Sequence, residues 1–230
     1  MKRLTVVGEC LHQRCIPAQT LTILSALKTV LTGQHFLLAG GTALTLYLGH
    51  RISADLDFFS EQPFSTDQLY RRIEHEGLQP VVIQEDESTL TCTVAETKVS
   101  FFHYPYPFID EKTEWEGVEL AGVLDIAAMK MIAVAQRGAK RDFVDLYFVA
   151  RDVPFRKIAE NAVHRFGPNR INPVHMGKSL VYFSDAELDP DPQYCCADLP
   201  SWNSIKQFFT KSIHQLVFDL QRAKEIPAGE

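Results

Sequence analysis

The hydrophobic periodicity of the chain changes near residue 120, and this change constrains the fold more than any other feature. In residues 89–95 apolar side chains alternate with threonines, which is typical of a strand with one buried face. From residue 123 to 136 apolar residues recur at helical spacing instead. The pattern predicts an α/β (α+β) protein with a mixed sheet in residues 1–122 and a helical part in residues 123–230.

Shorter patterns predict the individual elements. Ser65 or Thr66 is the expected N-cap of a polar helix, and Glu96 and Thr97 form a connection short enough for a hairpin. The acidic stretch from Asp185 to Asp198 is expected to be an exposed loop. Helices are expected at residues 17–31, 43–48, 66–75, 123–136, 141–151, 154–165 and 201–224, and strands at 36–38, 56–59, 80–84, 89–95 and 98–103.

Composition excludes several classes of protein. Of the 230 residues, 46% are apolar and 23% are charged, which is ordinary for a globular chain. The longest stretch without Asp, Glu, Lys, Arg or His, residues 36–49, is too short to span a bilayer. The five cysteines are odd in number and include no C-x-x-C pair, so neither a disulfide framework nor a structural zinc site is expected. The chain is expected to be cytoplasmic and not to associate with membranes.

The charge is unevenly distributed. The net charge is −6, but residues 1–122 hold 9 Lys/Arg and 16 Asp/Glu, whereas residues 130–178 hold 10 basic and 4 acidic side chains. A local basic segment in an acidic protein suits a polyanion bound at one place, such as a triphosphate or an RNA end. A solvated surface face is the alternative interpretation of the same segment.

The run Gly40-Gly41-Thr42 follows a predicted strand and precedes a predicted helix. Glycines allow the backbone to approach a phosphate closely, a helix N-terminus supplies positive potential, and Thr42 adds a hydroxyl donor. Taken alone, the run is more often a glycine-rich turn without a ligand.

Asp55 and Asp57 sharpen this interpretation. Residues i and i+2 of a strand point to the same face, so these two carboxylates are expected to converge. Such a pair is costly without a cation, and hard oxygen ligands suit Mg²⁺ or Mn²⁺. The alternative is an edge strand that carries solvated acids.

A second group of charged residues lies in the helical part. Lys130 and Arg137 are about two helical turns apart and therefore share a face. Lys130 lies among apolar residues, where a lysine usually extends its ammonium to the surface. With Lys140, these residues are candidate nucleotide-binding cations. Asp142 and Asp145 begin the next helix, where they either cap it or pair with Arg137 or Lys140.

Three segments together resemble the AbiEii/AbiGii toxin family of nucleotidyltransferases. They read LLAGGTALTLYLGHRISADLDFFS, DIAAMKMIAVAQRGAKRDFVDLYFV and MGKSLVYFSDAELDP, and the resemblance extends from about residue 20 to residue 210. It implies a polymerase-β-like nucleotidyltransferase core with a helical C-terminal part. It also implies transfer from a nucleoside triphosphate (NTP) to an acceptor hydroxyl, for which an RNA 3′ end such as that of a tRNA is a candidate. A toxin role with a cognate antitoxin protein is implied as well.

The resemblance also assigns roles to individual residues. Gly41 and Thr42 match its phosphate-binding motif and Lys130 its triphosphate-binding lysine. Asp55 and Asp57 match its metal pair, and Asp142 its late acidic residue. Nucleotidyltransferases of the wider superfamily commonly carry a third carboxylate on a later strand, where this chain has Ser100. Either Asp142 or another group therefore takes the catalytic role of that carboxylate, or activity is weak. A catalytically weak nucleotide-binding regulator on the same fold is the alternative function.

Overall fold

The computed structural model describes residues 11–195, 197 and 199–225, which form two compact units. The sheet unit comprises residues 11–107 and 111–121. The helical unit comprises the short segment Phe108–Asp110 and the chain from Gly122 onward. Among the described residues of the first half of the chain, three therefore belong to the helical unit.

The described part of the sheet unit contains one mixed sheet. Its strands are β1 (Leu37–Ala39), β2 (Leu56–Ser60), β3 (Val81–Asp86), β4 (Thr89–Val94), β5 (Thr97–His103), β6 (Thr113–Trp115) and β7 (Val118–Leu120). The spatial order is β3-β4-β5-β2-β1-β7-β6. Strands β2 and β5 pair in parallel, as do β1 and β7, and the remaining neighbours are antiparallel.

The side chains of β2 alternate between a buried face of the sheet and a partly exposed face. Leu56 and Phe58 are fully buried, and the Phe58 ring stacks on Phe101 of β5 with centroids 5.2 Å apart. Asp57 and Phe59 alternate with them and are only partly buried. Asp57 thus lies on the face opposite this core. We call Asp55 and Asp57 the acidic motif.

Three helices belong to the sheet unit: α1 (Ala18–Leu31), α2 (Gly40–Leu48) and α3 (Thr66–His75). The Ser65 hydroxyl caps α3 by accepting a hydrogen bond from the Gln68 amide, as predicted. Helix α2 begins at Gly40 rather than at the expected Ala43, so the glycine pair forms its first turn. Gly49 ends α2 in the left-handed conformation.

The helical unit is built on contacts between helices distant in sequence. Its helices are α4 (Val123–Arg137), α5 (Lys140–Asp152), α6 (Phe155–Phe166), α7 (Pro173–Leu180), α8 (Ser184–Leu188) and α9 (Trp202–Glu225). Helix α6 packs against α9 and α4, and α7 packs against α9.

A buried polar cluster fixes the start of α4. Asp125 is fully buried and accepts hydrogen bonds from the Asp110 amide at 3.0 Å and the Asn161 side chain at 2.9 Å. The Arg165 guanidinium lies 3.5 Å from its carboxylate. Asp110 in turn accepts from the Leu124 amide at 2.8 Å. The segment Phe108–Asp110 is therefore attached to α4 and α6.

Two sequence expectations were wrong. The stretch that begins at Asp185 was expected to be a loop, but its first residues lie in α8, while Asp198 lies outside the described residues. No disulfide framework was expected, but Cys15 is disulfide-bonded and so is Cys195. Cys92 is a buried free thiol, and burial raises its pKa to about 11. Cys10 and Cys196 lie outside the described residues.

Strand β3 forms one edge of the sheet and carries adjacent exposed apolar side chains. Val81, Val82 and Ile83 are 66%, 42% and 59% exposed. The pairing with β4 shifts register between Val82 and Gln84, and acidic residues follow directly. No helix in the described part of the chain is both long enough and apolar enough to span a membrane.

Candidate functional site

Gly40 brings the first turn of α2 against the acidic motif. Its φ of +66° lies in the left-handed region, which glycine adopts without strain. A Cβ atom added there would lie 3.0 Å from Oδ2 of Asp57. The glycine therefore allows a carboxylate and the N-terminus of α2 to lie next to each other.

Gly41 makes room for a side chain that the sequence did not single out. A Cβ at Gly41 would lie 2.2 Å from Nη2 of Arg51 and 3.0 Å from Oγ of Ser53. Arg51 is only 6% exposed and donates to the Ile52 carbonyl at 3.1 Å. Its guanidinium thus lies against the glycine turn. The sequence contained only a weak signal for the role of Arg51, which is the first arginine or lysine after residues 36–49.

Thr42 links this turn to the residue that precedes β2. Its buried hydroxyl donates to the Asp55 carbonyl and lies 3.0 Å from the Ser53 hydroxyl. These contacts within the chain hold the segment between α2 and β2 against the start of α2. The hydroxyl predicted to contact phosphate therefore also has a structural role.

The two aspartates lie at the start of β2. Asp57 is within the strand, while Asp55 precedes its first residue, and both are partly exposed. In the sheet register Asp57 is flanked by Ala39 of β1 and Ser100 of β5. Ser100 is 1% exposed, and its hydroxyl has no hydrogen-bond partner within the described chain.

The donor atoms at this place fit a hard divalent cation. The carboxylates of Asp55 and Asp57 are oxygen ligands, and the buried Ser100 hydroxyl beside Asp57 is a further oxygen that protein atoms leave unsatisfied. In the described ranges no three His, Cys, Asp or Glu side chains cluster closely enough to hold a metal ion by themselves. These residues fit an ion that takes its other ligands from water and substrate phosphates, which is the usual coordination of Mg²⁺.

In the helical unit, Lys130 forms the centre of a buried ionic cluster. Its ammonium lies 2.9 Å from Asp142 and 2.7 Å from Asp145. The partly exposed Arg137 donates to both oxygens of Asp142, at 2.7 and 2.9 Å. Two cations and two carboxylates are therefore matched. Of the two interpretations of the aspartates, capping and pairing, pairing applies to Asp142, and its partners are Arg137 and Lys130.

The ionic cluster controls the protonation of Asp142. Burial by itself raises the pKa of this carboxyl, but the Lys130 ammonium and the Arg137 guanidinium outweigh it and hold the pKa below its usual value. Asp142 is therefore ionised at neutral pH and keeps Lys130 in place.

Lys140 lies outside this cluster, although the sequence grouped it with Lys130 and Arg137. Its ammonium donates to the Asp189 carbonyl at 2.6 Å and to the Asp191 carboxylate at 3.1 Å, and it lies over the Trp202 ring. The structure thus brings together Gly40, Gly41, Thr42, Asp55 and Asp57 in the sheet unit, and Lys130, Arg137 and Asp142 in the helical unit.

Comparison with known proteins defines the class. MenT4, the nucleotidyltransferase toxin Rv2826c of Mycobacterium tuberculosis H37Rv, has the same fold with a TM-score of 0.56 at 17% identity, over 90% of this chain and 87% of that one. JHP933 of Helicobacter pylori gives a TM-score of 0.53 at 18% identity, over 91% and 97%. The fold is that of the polymerase-β-like nucleotidyltransferases, with a helical C-terminal region.

Sequence comparison then identifies the family. Residues 22–114 match the family described as nucleotidyl transferase AbiEii toxin, Type IV TA system. The protein aq_aa25 of Aquifex aeolicus (strain VF5), described as uncharacterized, is 38% identical over 187 residues, which cover 78% of this chain and 87% of that protein. The chain belongs to the AbiEii family of nucleotidyltransferase toxins.

Proposed function

We propose that this protein transfers a nucleotidyl group from an NTP to an acceptor hydroxyl, with cleavage between the α- and β-phosphates and release of pyrophosphate, and that an RNA 3′ end such as that of a tRNA is the acceptor. The observation that carries the proposal is the contact between Gly40 and Asp57, which unites a helix N-terminus and a carboxylate motif. A phosphate-binding turn beside carboxylates is the arrangement that such transfer requires.

Residues 1–122 would carry most of this chemistry. The amides of Gly40, Gly41 and Thr42 at the start of α2 would orient the triphosphate. Asp55 and Asp57, with the Ser100 hydroxyl nearby, would hold Mg²⁺ or Mn²⁺. The bound ion would activate the acceptor oxygen and neutralise charge that develops on the phosphates.

Residues 123–230 would contribute the cations of the ionic cluster. On the family resemblance, Lys130 and the partly exposed Arg137 are the proposed triphosphate-binding cations of this part of the chain. Asp142 would hold both side chains ready, because it contacts each of them. Lys140 has an anchoring role at Asp189 and Asp191, so we do not include it in the nucleotide site.

The direct test is incubation with each labelled NTP, Mg²⁺ and total RNA, followed by identification of the molecule that becomes labelled. Asp57→Ala should abolish transfer without unfolding the protein, because it removes a carboxylate that the ion needs. Asp67→Ala removes an exposed carboxylate on α3 and is the matched control. Undiminished transfer by the Asp57 variant would refute the metal assignment.

A second candidate function is a nucleotide-binding regulator without turnover. Ser100 favours this second candidate. Many nucleotidyltransferases of the wider superfamily have a carboxylate at this position, and serine cannot take a proton at neutral pH as a carboxylate can. Equilibrium binding of NTP with no labelled product under any condition would support this candidate over transfer.

The biological role that we propose is that of a cytoplasmic toxin kept in check by a cognate antitoxin protein. Family membership supports this role. Induced expression should arrest growth of a bacterial host, and expression of the Asp57→Ala variant should not. Equal toxicity of both proteins would separate the toxin role from nucleotidyl transfer.

A further inference from the structure

A row of four aromatic rings continues the face of the sheet that carries Asp57. The Phe59 ring lies 5.2 Å from that of Phe102 and 5.4 Å from that of Tyr104, and the Tyr104 and Tyr106 rings are 4.8 Å apart. All four side chains are partly exposed. By contrast, the Phe58 and Phe101 rings on the opposite face are fully buried. We call these four residues the aromatic row.

The strand register places the aromatic row beside the acidic motif. Phe59 follows Asp57 by two residues, so both point to the same face at a separation of about 7 Å along β2. On β5, Phe102 follows Ser100 in the same way, and Phe59 pairs with Phe102 in the sheet. The carboxylate of Asp57 and the first two rings are therefore neighbours on one surface.

We propose that the aromatic row is a stacking site for a nucleobase, an inference that rests on the proposed nucleotidyl transfer. Aromatic side chains bind bases through their π faces with little dependence on base identity. The separation from Asp57 is about the reach of one nucleotide from its reacting oxygen to its base. The sheet unit is acidic, so most of its surface does not attract the phosphates of a polyanion. An apolar aromatic surface allows this unit to bind a base of such a molecule instead.

The position of the row favours the terminal base of the acceptor. Strand β2 pairs with β1 on one side and with β5 on the other. The glycine turn that would hold the triphosphate follows β1, whereas Phe102, Tyr104 and Tyr106 follow the course of β5. The two substrates would therefore approach Asp57 from opposite sides. The base of the NTP stacks on aromatic rings in the same way and is the alternative occupant of the site.

Phe59→Leu and Phe102→Leu test the site, because leucine keeps an apolar side chain but removes the π face. Phe102→Tyr retains the ring and should behave like the original protein. Phe64→Leu is the matched control: Phe64 is also partly exposed, but its ring contacts Phe36, which packs on Phe101 of the opposite face. Thermal unfolding of each variant verifies that it is folded.

Two binding assays need no turnover. One follows the fluorescence of a short oligoribonucleotide with 2-aminopurine at its 3′ end, and the other measures binding of labelled NTP. We expect each leucine variant to weaken oligonucleotide binding by about five- to a hundredfold, the range typical of one stacked base. We expect NTP binding to stay unchanged. Weaker binding of NTP alone would assign the site to the NTP base instead.

Equal affinities for both ligands in all folded variants would overturn the inference. So would a reduction in Phe102→Tyr as large as that in Phe102→Leu. If the proposed function fails and the inference holds, the original protein binds the oligonucleotide but transfers no label to it. If the original protein binds neither probe, both the inference and the proposed function fall.

Discussion

At the scale of single residues, the glycine pair has two different reasons to be glycine. Gly40 has a positive φ, so the backbone itself disfavours any other residue. Gly41 has no such restriction, and the atoms nearest to an added Cβ belong to the Arg51 guanidinium and the Ser53 hydroxyl. Because the nearest atom is the end of a flexible side chain, Gly41→Ala can fold by displacing Arg51.

This difference leads to a prediction for Gly41 and Arg51. Gly41→Ala and Arg51→Ala should each lower kcat/KM for NTP about tenfold or more, since small displacements at a phosphate site are costly. The double variant should be no worse than either single one, because both act through the same guanidinium. Additive effects would contradict the coupling. Arg71→Ala, which removes an exposed arginine from α3, is the control.

A second residue-scale prediction concerns Asp142 and pH. Its folded-state pKa is lowered, so its contribution to stability is present above the usual aspartate pKa and is lost as pH falls through the folded-state value. At pH 7, Asp142→Asn should cost about 3 kcal/mol, because it leaves buried Lys130 with one carboxylate fewer.

Urea unfolding at several pH values measures this effect. The difference between the original protein and Asp142→Asn should shrink as the pH drops below about 4, because the carboxyl then becomes protonated in the unfolded state and, at still lower pH, in the folded state as well. Asp152→Asn, on the exposed end of the same helix, should change stability by less than about 1 kcal/mol. A pH-independent difference for Asp142→Asn would exclude the ionic explanation.

At the scale of elements, the start of α4 depends on a segment more than ten residues earlier in the chain. Asp125→Ala should cost about 3–5 kcal/mol, because it removes the Asp125 carboxylate that lies beside the buried Arg165 guanidinium. Asp110→Ala should cost only about 1 kcal/mol, as for the removal of a helix cap. Denaturant unfolding gives both values, and similar small costs would mean that the cluster does not hold α4.

Local signals predicted most elements well, but not those that depend on distant partners. Helix α3 has its expected bounds, since its cap and its apolar spacing both lie within the helix. Strand β7 was missed because three residues carry no readable period, and it exists through pairing of Leu120 with Leu38. The position of Arg51 against Gly41 was missed for the same reason: nothing near Arg51 in the sequence indicates that contact.

At the scale of the whole molecule, internal pairing reduces the charge that is available to a polyanion. Residues 130–178 have a net charge of +6. Arg165 and Lys140 in this segment pair with Asp125 and Asp191, which lie outside it. The effective excess is therefore closer to +4, and exposed residues such as Arg156 and Lys157 carry part of it.

Reversing both of these residues tests whether the segment binds the acceptor. Arg156→Glu with Lys157→Glu should weaken RNA binding and flatten its salt dependence by about one unit of slope for each RNA phosphate that the protein no longer neutralises. NTP binding should be unaffected. Lys211→Glu with Arg222→Glu changes the net charge equally on α9 and is the control. Equal weakening in both double variants would indicate nonspecific attraction only.

The exposed edge strand β3 also affects how the protein behaves in concentrated solution. Consecutive apolar side chains on an edge strand, whose outer side pairs with no strand of the described chain, are a template on which another chain can add. The register shift at Ile83 and the acidic residues from Glu85 to Glu87 oppose such addition by distorting the edge and repelling a like-charged neighbour. This protection weakens when those carboxylates are protonated. The colloidal stability of the protein, unlike its folding stability, should therefore depend on three side chains far from the candidate site.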